Sequence, residues 1–331
     1  VSFKNLSDHE IQKILKAVKQ DELKQSQIAV FLMGLTMKGS TIDEIFSIVK
    51  FMKKCSVKIC PKINGILIDT CGTGGGIPTI NVSTAAAIIT SASGIPVAKH
   101  GSRSIASRSG SADVLEKLGI KINLKPKSVE KMIEKIGIGF LYAPNFNPLM
   151  KKILIPEMEL GIKTIFYTLI GPLINPAPVR AQIIGVYKQE LLDVFANILK
   201  RFNYTRALVV HGRSNIDEIS NVGESMIIDI KGKKIEKYTI LPEELGIKRS
   251  KIRSILGRSA EYNAKIMKNI FQGKERGSKY DLVVLNAAGA FVVGGVAKDL
   301  QDGLEIARRV IDDKLAWEKL QEFKKLSKSL N

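Results

Sequence analysis

The sequence predicts an α/β protein in which a small helical domain precedes a larger α/β domain with a largely parallel sheet. Three observations predict it. Residues 1 to about 53 carry apolar positions at helical spacing. From Asn64 onward, short β-rich runs alternate with helical stretches. One apolar run, Ile66-Leu-Ile68, enters a glycine-rich segment that leads into an Ala/Ile-rich helix, the strand–loop–helix order of parallel sheets. Boundaries are expected at 1–64 for the helical unit and 65–331 for the α/β unit. The helical-looking stretch at about 150–173 is a candidate to return to the first.

The elements follow in order. Ser7-Asp-His-Glu10 reads as a capping box, with Ile11, Ile14, Leu15 and Val18 at helical spacing behind it. Ser26 to Met37 forms a more apolar helix, Gly39-Ser-Thr interrupts, and Ile42 to Met52 resumes. Strands are expected at Ile66–Ile68, Val97–Ala98, Phe140–Tyr142, Gln182–Val186, Arg206–Val210, Ser225–Asp229 and Leu282–Leu285.

The 331 residues are 45% hydrophobic and 25% charged, which suits a folded chain with a large core. No apolar run reaches the ~18 residues of a membrane span, Val1-Ser-Phe-Lys-Asn lacks the apolar core of a signal peptide, and three widely spaced cysteines suggest free thiols in a reduced, cytoplasmic setting. Cys55, Cys60 and Cys71 form no CxxC pair and only three His accompany them, which argues against zinc. Cys71 reads as a small structural residue. The net charge of +19 would attract polyanions. It comes mostly from dispersed Lys, without interleaved aromatics, so nucleic acid is a possible partner that is not favoured.

Three clusters carry chemistry. Asp69-Thr-Cys-Gly-Thr-Gly-Gly-Gly-Ile-Pro-Thr-Ile-Asn-Val-Ser-Thr84 joins a strand, a glycine loop and a hydroxyl-rich helix start. Glycines admit close backbone approach and helix N-termini favour anions, so a phosphate fits there. Lys99-His-Gly-Ser-Arg-Ser-Ile-Ala-Ser-Arg-Ser-Gly-Ser-Ala-Asp113 places Lys99, Arg103 and Arg108 among small hydroxyl residues, a second anion loop. Val209-Val-His-Gly-Arg-Ser-Asn-Ile-Asp-Glu-Ile-Ser220 ends a strand in a loop with adjacent acids, Asp217 and Glu218. Paired carboxylates beside anion loops suggest Mg²⁺, a hard cation that shares carboxylates with substrate phosphates. These acids are therefore not cast as general acid and base.

Taken together, these residues resemble the anthranilate phosphoribosyltransferase family, over essentially the whole chain. The likeness rests on Gln27-Ile-Ala-Val-Phe-Leu, Met37-Lys-Gly-Ser-Thr, Gly72-Thr-Gly-Gly with Asn81-Val-Ser-Thr, and Lys99-His-Gly with Ser109-Gly-Ser-Ala-Asp-Val-Leu-Glu. It continues through Phe140-Leu-Tyr-Ala-Pro, Leu160-Gly-Ile-Lys-Thr-Ile-Phe, Gly171-Pro-Leu-Ile-Asn-Pro, Asp217-Glu218 and Leu285-Asn-Ala-Ala. The resemblance implies a helical and an α/β domain around a cleft, a homodimer through the helical domain, and Mg²⁺-dependent transfer of phosphoribose from phosphoribosyl pyrophosphate to anthranilate or a related aromatic or nitrogenous acceptor. It implies donor binding by Gly72, Gly75, Thr79, Asn81, Ser83, Thr84, Lys99, Ser107 and Ser111. Ser83, Asp217 and Glu218 would hold the metal, and Gly72, Ser102, Asn147 and Glu157 would occupy acceptor positions.

The chain also departs from the family pattern. Gly76 stands where Asp or Ser is usual, and the loop to Asn81 is one residue shorter. Ser102 replaces an Asn, Asn147 a His, and Glu157 an Arg that would meet the acceptor carboxylate. One extra residue separates Thr164-Ile-Phe from Gly171-Pro-Leu. Glu157 is thus expected to repel a benzoate. Two alternatives stand beside the transferase: a non-catalytic, nucleic-acid-binding relative and a nucleoside phosphorylase.

Overall fold

The computed structural model describes residues 3–104, 109–162 and 164–330. The N-terminal helices are α1 (Asp8–Lys19), α2 (Gln25–Lys38) and α3 (Ile42–Cys55). The Ser7 hydroxyl accepts the Glu10 N–H at 3.3 Å while the Glu10 carboxylate takes the Ser7 N–H at 2.8 Å, the reciprocal box that the sequence predicts. Thr41 and Glu44 cap α3 in the same way. Buried Glu44 also receives the Leu6 N–H and the Lys38 ammonium, both at 2.8 Å, which ties three segments of the unit together.

The sheet has seven strands in the order β3-β2-β1-β4-β5-β6-β7: β1 (Ile68–Gly72), β2 (Val97–Gly101), β3 (Ile138–Tyr142), β4 (Ala181–Gly185), β5 (Arg206–Gly212), β6 (Ser225–Lys231) and β7 (Lys234–Ile240). The first five pair in parallel, and β5-β6-β7 is an antiparallel meander. From β1 the chain moves outward to β2 and β3, then returns to the far side of β1 as β4. The carboxyl end of β1 is therefore the topological switch point, where open α/β sheets bind ligands.

Between the strands run α4 (Val82–Ala92), α5 (Ser111–Lys117), α6 (Pro126–Ile136), the short α7 (Ala143–Phe146), α8 (Pro148–Leu160) and α9 (Leu191–Arg201). The C-terminal part adds α10 (Ile252–Ile255), α11 (Ala260–Phe271), α12 (Ser278–Val293), α13 (Leu300–Asp312) and α14 (Leu315–Ser329). Helix α4 packs on β1 and β2, and α12 lies against α4, α13 and the central strands. Helix α8 packs on α1, α2 and α3, and α3 meets α9.

Three readings of elements need correction. Leu282–Leu285 is not a strand. It lies inside α12, whose residues from Leu282 to Val293 are all buried. A buried stretch of that length, apolar except for Asn286, exceeds a strand, and a helix enclosed on every side accommodates it. Strand β7 went unrecognised because its pattern is charged and mostly exposed, as suits an edge protected by Lys. Strand β1 also begins at Ile68, so Asp69-Thr-Cys-Gly is strand rather than loop.

The segment ahead of Gly171, where one extra residue is expected, departs from α geometry. Phe166–Ile170 is wound as a π-helix, and the Gly171 N–H reaches back to the Phe166 carbonyl. A π turn is what a single inserted residue produces in a helical segment. Among the described residues no helix is long and apolar enough to cross a membrane.

Candidate functional site

Beyond the switch point lies a cleft of about 610 Å³, within the size range of small-molecule sites. One wall is polar, built from the loop after β1, the start of α4, the end of β2, the start of α5 and the loop after β5. The other is largely apolar and includes Pro144, Met150, Leu154 and Tyr167 from the α7–α8 region and the π turn.

The glycine loop depends on its glycines. Gly74 and Gly75 have φ of +62° and +89°, values a side chain resists. A Cβ on Gly76 would lie 2.0 Å from the Asn215 carbonyl oxygen, so neither Asp nor Ser fits this shortened loop. Gly72 and Gly185 face each other across β1 and β4. A Cβ on Gly72 would stand 2.4 Å from Asp217 Oδ2, and one on Gly185 would stand 1.6 Å from the Asp217 carbonyl oxygen. These two glycines create the room in which the acidic pair sits.

The loop after β5 is held from both sides. The Gly74 N–H donates to Asp217 Oδ2 at 2.8 Å, and the Thr79 hydroxyl donates to Glu218 Oε1 at 2.7 Å. Asn286 of α12 clamps Ile219 through both its backbone groups, each at 2.9 Å, which gives Leu285-Asn-Ala-Ala its role here. Glu218 Oε2 is buried with no hydrogen-bond partner among the described residues. Burial, and then the neighbouring Asp217, push the Glu218 carboxyl well above the usual carboxylate range.

Helix α4 points its N-terminus into the cleft. Asn81 occupies the N-cap position but makes no capping bond. Its amide is used elsewhere: Oδ1 accepts from Asn263 Nδ2 at 2.9 Å and from the Ser109 hydroxyl at 3.2 Å, and Nδ2 donates to the Ser109 carbonyl at 3.2 Å. Asn81 thus fastens the start of α4 to the Ser109 loop and to α11. The Val82 N–H turns back to the Ile80 carbonyl at 2.7 Å, while the Ser83 and Thr84 N–H groups, which have no intrahelical acceptor, are left to an anion.

Lys99 is buried at the end of β2. Its ammonium donates to the Thr70 carbonyl at 2.7 Å and to Ser83 Oγ at 3.2 Å. Burial lowers its pKa, while nearby Asp69 raises it in partial offset. Asp69 is held by Asn175 Nδ2 at 2.8 Å and is itself pushed up by burial. Arg103, expected to wrap a phosphate, is instead ion-paired with Asp113 at 3.0 Å and Glu116 at 2.6 Å. Cys71 borders the cleft but takes a bond from Gln182 at 3.0 Å, and burial pushes its thiol up, away from nucleophilic use.

Of the residues expected at the site, Gly72, Gly75, Thr79, Asn81, Ser83, Lys99, Ser102, Ser111, Asp217 and Glu218 all border the cleft. Ser107, like Arg108, lies outside the described residues. Three others have side chains that do not line the cleft. Thr84 is the third residue of α4, and its buried side chain does not line the cleft, so only its backbone N–H serves the helix start. Asn147 is buried with its amide donated to His100 Nε2 at 3.0 Å, so it positions His100 rather than bordering the cleft. Glu157 is fully buried within α8. Its carboxylate accepts the Thr164 N–H at 2.8 Å and the Thr164 hydroxyl, which anchors the chain leading into the π turn. It therefore presents no charge to the cleft, and the expected repulsion of a benzoate does not arise from it. Burial accordingly holds the Glu157 carboxyl above its ordinary value.

His100 borders the cleft with its pKa pushed down to about 3, first by burial and then by Lys53 and Lys99. It is neutral, with Nε2 engaged by Asn147. Lys151, Tyr167, Arg258 and Asn263 border the cleft and were not anticipated. The sequence signal for Arg258 is Leu256-Gly-Arg-Ser259, a cation between a glycine and a helix-capping serine.

A helical unit set against a sheet whose switch point carries anion loops and an acidic pair marks the class. Residues 64–316 match the a/b domain of a glycosyl transferase family, and residues 1–56 match that family's helical bundle domain. An anthranilate phosphoribosyltransferase of Acetivibrio thermocellus is 43% identical over 99% of this chain and 95% of its own. The crystal structure of the Thermus thermophilus anthranilate phosphoribosyltransferase superposes with a TM-score of 0.90 at 34% identity, covering 98% of this chain and 97% of that one. The Saccharomyces cerevisiae enzyme, in complex with PRPP and Mg, gives 0.87 at 25% identity, with 98% and 94% covered. The chain belongs to the anthranilate phosphoribosyltransferase family.

Proposed function

We propose that this chain is a Mg²⁺-dependent phosphoribosyltransferase that moves phosphoribose from phosphoribosyl pyrophosphate to the amine of anthranilate or a related aromatic amine. One observation carries the reading: an uncapped helix N-terminus, a loop turned at Gly74 and Gly75, and a half-buried acidic pair converge at the sheet's switch point. The relatives' names and the PRPP and Mg of the yeast complex agree with it.

In that reaction the bond from ribose C1 to a pyrophosphate oxygen breaks and its electron pair leaves with pyrophosphate. The amine nitrogen bonds C1 and sheds a proton. The backbone at Gly72 and Gly75, the Thr79, Ser83 and Ser111 hydroxyls, Lys99 and the N–H groups at Ser83 and Thr84 would hold the donor. Asn81 serves the same site by fastening its loops. The residues fit a hard divalent cation, since Glu218 Oε2 has no partner among the described residues and two adjacent carboxylates repel one another. Among the described residues no set of three His, Cys, Asp or Glu gathers, so other ligands would come from phosphates and water. Asp217, Glu218 and Ser83 would hold Mg²⁺, which when bound supplies positive charge to the departing pyrophosphate.

The acceptor ring fits the apolar wall at Met150, Leu154 and Tyr167, with Ser102 at the polar edge. Lys151, on α8 and bordering the cleft, would meet the acceptor carboxylate in place of the absent Arg. The helical unit would comprise 1–64 with about 150–173. Exposed Val30 and Met37 on α2, beside Ile155 and Met158 on α8, suit a homodimer. Sedimentation would read that state.

The test is to mix the protein with Mg²⁺ and phosphoribosyl pyrophosphate and screen aromatic amines and nucleobases for pyrophosphate release. Release with anthranilate is expected. No release with any acceptor, together with steeply salt-dependent nucleic-acid binding, overturns the reading in favour of a binding protein. Turnover of nucleosides with phosphate alone points to a phosphorylase.

A further inference from the structure

We propose that Arg258 is a phosphate-binding residue of this cleft, a guanidinium clamp on the donor; the inference rests on the phosphoribosyl transfer reading above. The argument begins with charge. A phosphorylated donor is a polyanion, and the cleft already contains Asp217 and Glu218. Lys99 is offset by Asp69, and Arg103 is held by Asp113 and Glu116. Arg258 also borders the cleft, and among the described residues no carboxylate lies within ion-pairing distance of it.

Its backbone is fixed to the donor loop. The Gly257 N–H donates to the Pro78 carbonyl at 2.9 Å, and Leu256 bridges Thr79. A Cβ on Gly257 would stand 2.3 Å from the Thr79 carbonyl oxygen, so only glycine allows this approach. The Arg258 N–H donates to Asn263 Oδ1 at 2.9 Å, and the same Asn263 amide donates to Asn81 at 2.9 Å. Arg258 is thereby tied to both the glycine loop and the start of α4. Its guanidinium is exposed, with its carbon 5.0 Å from the Tyr262 ring centroid, a support that leaves its edge free for hydrogen bonds. A planar fork of donors at a phosphate site is the use to which Arg is best suited.

The test compares wild type with Arg258→Ala and Arg258→Lys. Calorimetry measures binding of pyrophosphate with Mg²⁺ and, separately, of ribose 5-phosphate. Steady-state assays measure KM for the donor and kcat. Arg258→Ala is expected to raise the donor KM by ~10- to 100-fold, the size of a lost charge-assisted hydrogen bond, with a smaller change in kcat and an unchanged thermal midpoint. Arg258→Lys should recover part of the loss. The arm that weakens identifies which phosphate is clamped. A donor KM and both affinities within about twofold of wild type overturn the assignment while leaving the transfer reading intact. Failure of wild type itself to bind either phosphate overturns the transfer reading, and this inference with it.

Discussion

Replacing Gly72 by Ala tests the geometry on which the metal site depends. The added Cβ would lie 2.4 Å from Asp217 Oδ2 and 3.2 Å from its Cγ. Gly72 does not have a left-handed φ, so Ala is conformationally acceptable and the clash alone decides the outcome. The obstructing atom is the end of a side chain, so the carboxylate swings away rather than the strand moving. It then loses the 2.8 Å bond from the Gly74 N–H. A hydrogen bond to a charged group contributes about 1.5–3 kcal/mol, or roughly 10- to 150-fold in affinity. In a Mg²⁺ titration of pyrophosphate release at saturating donor, the half-saturating Mg²⁺ should rise by at least ~10-fold, with the melting midpoint nearly unchanged. Gly185→Ala is the contrast. Its Cβ would meet the Asp217 backbone oxygen at 1.6 Å, so the chain itself must shift and the midpoint should fall as well. A Gly72→Ala enzyme with unchanged Mg²⁺ dependence and unchanged turnover would refute the role given to Asp217.

Other perturbations separate the parts of the site. Asp217→Asn combined with Glu218→Gln should abolish Mg²⁺-dependent turnover and, by removing two mutually repelling, half-buried acids, leave the thermal midpoint at neutral pH equal or higher. Lys151→Met should raise KM for anthranilate but not for aniline, which lacks the carboxylate, whereas Glu157→Gln should leave the anthranilate KM nearly unchanged because Glu157 does not face the cleft. His100 has a folded pKa of about 3 against 6.5 unfolded, so between those values the unfolded chain binds the extra proton. Stability is then full above pH 6.5 and is lost as pH falls, by at most about 1.4 kcal/mol per unit. Denaturant melts of wild type and His100→Asn from pH 7 to pH 5 should differ by that slope.

The donor side of the site was legible because its signals are local. Consecutive glycines, a hydroxyl-rich helix start and adjacent acids state their chemistry within a few residues, and the structure gathers them around one cleft. The acceptor side was not legible in this way. The segment that follows Glu157 does not keep regular α geometry, and Phe166–Ile170 is wound as a π turn. The charge expected to face the cleft instead turns inward to Thr164. Leu282–Leu285 misled for a related reason: a short apolar window looks the same in a buried strand and in an enclosed helix.

By itself, then, the sequence determined the α/β class, the helical start, the anion loops and the Asp217–Glu218 pair. Backbone conformation and hydroxyl placement at these points depend on neighbours in the chain. Only the tertiary structure decided which cations are available. Arg103, ten residues from Asp113, is paired, whereas Arg258 reaches the glycine loop from the far end of the chain. Burial and charge pairing are set by contacts between distant segments, and no local pattern encodes them.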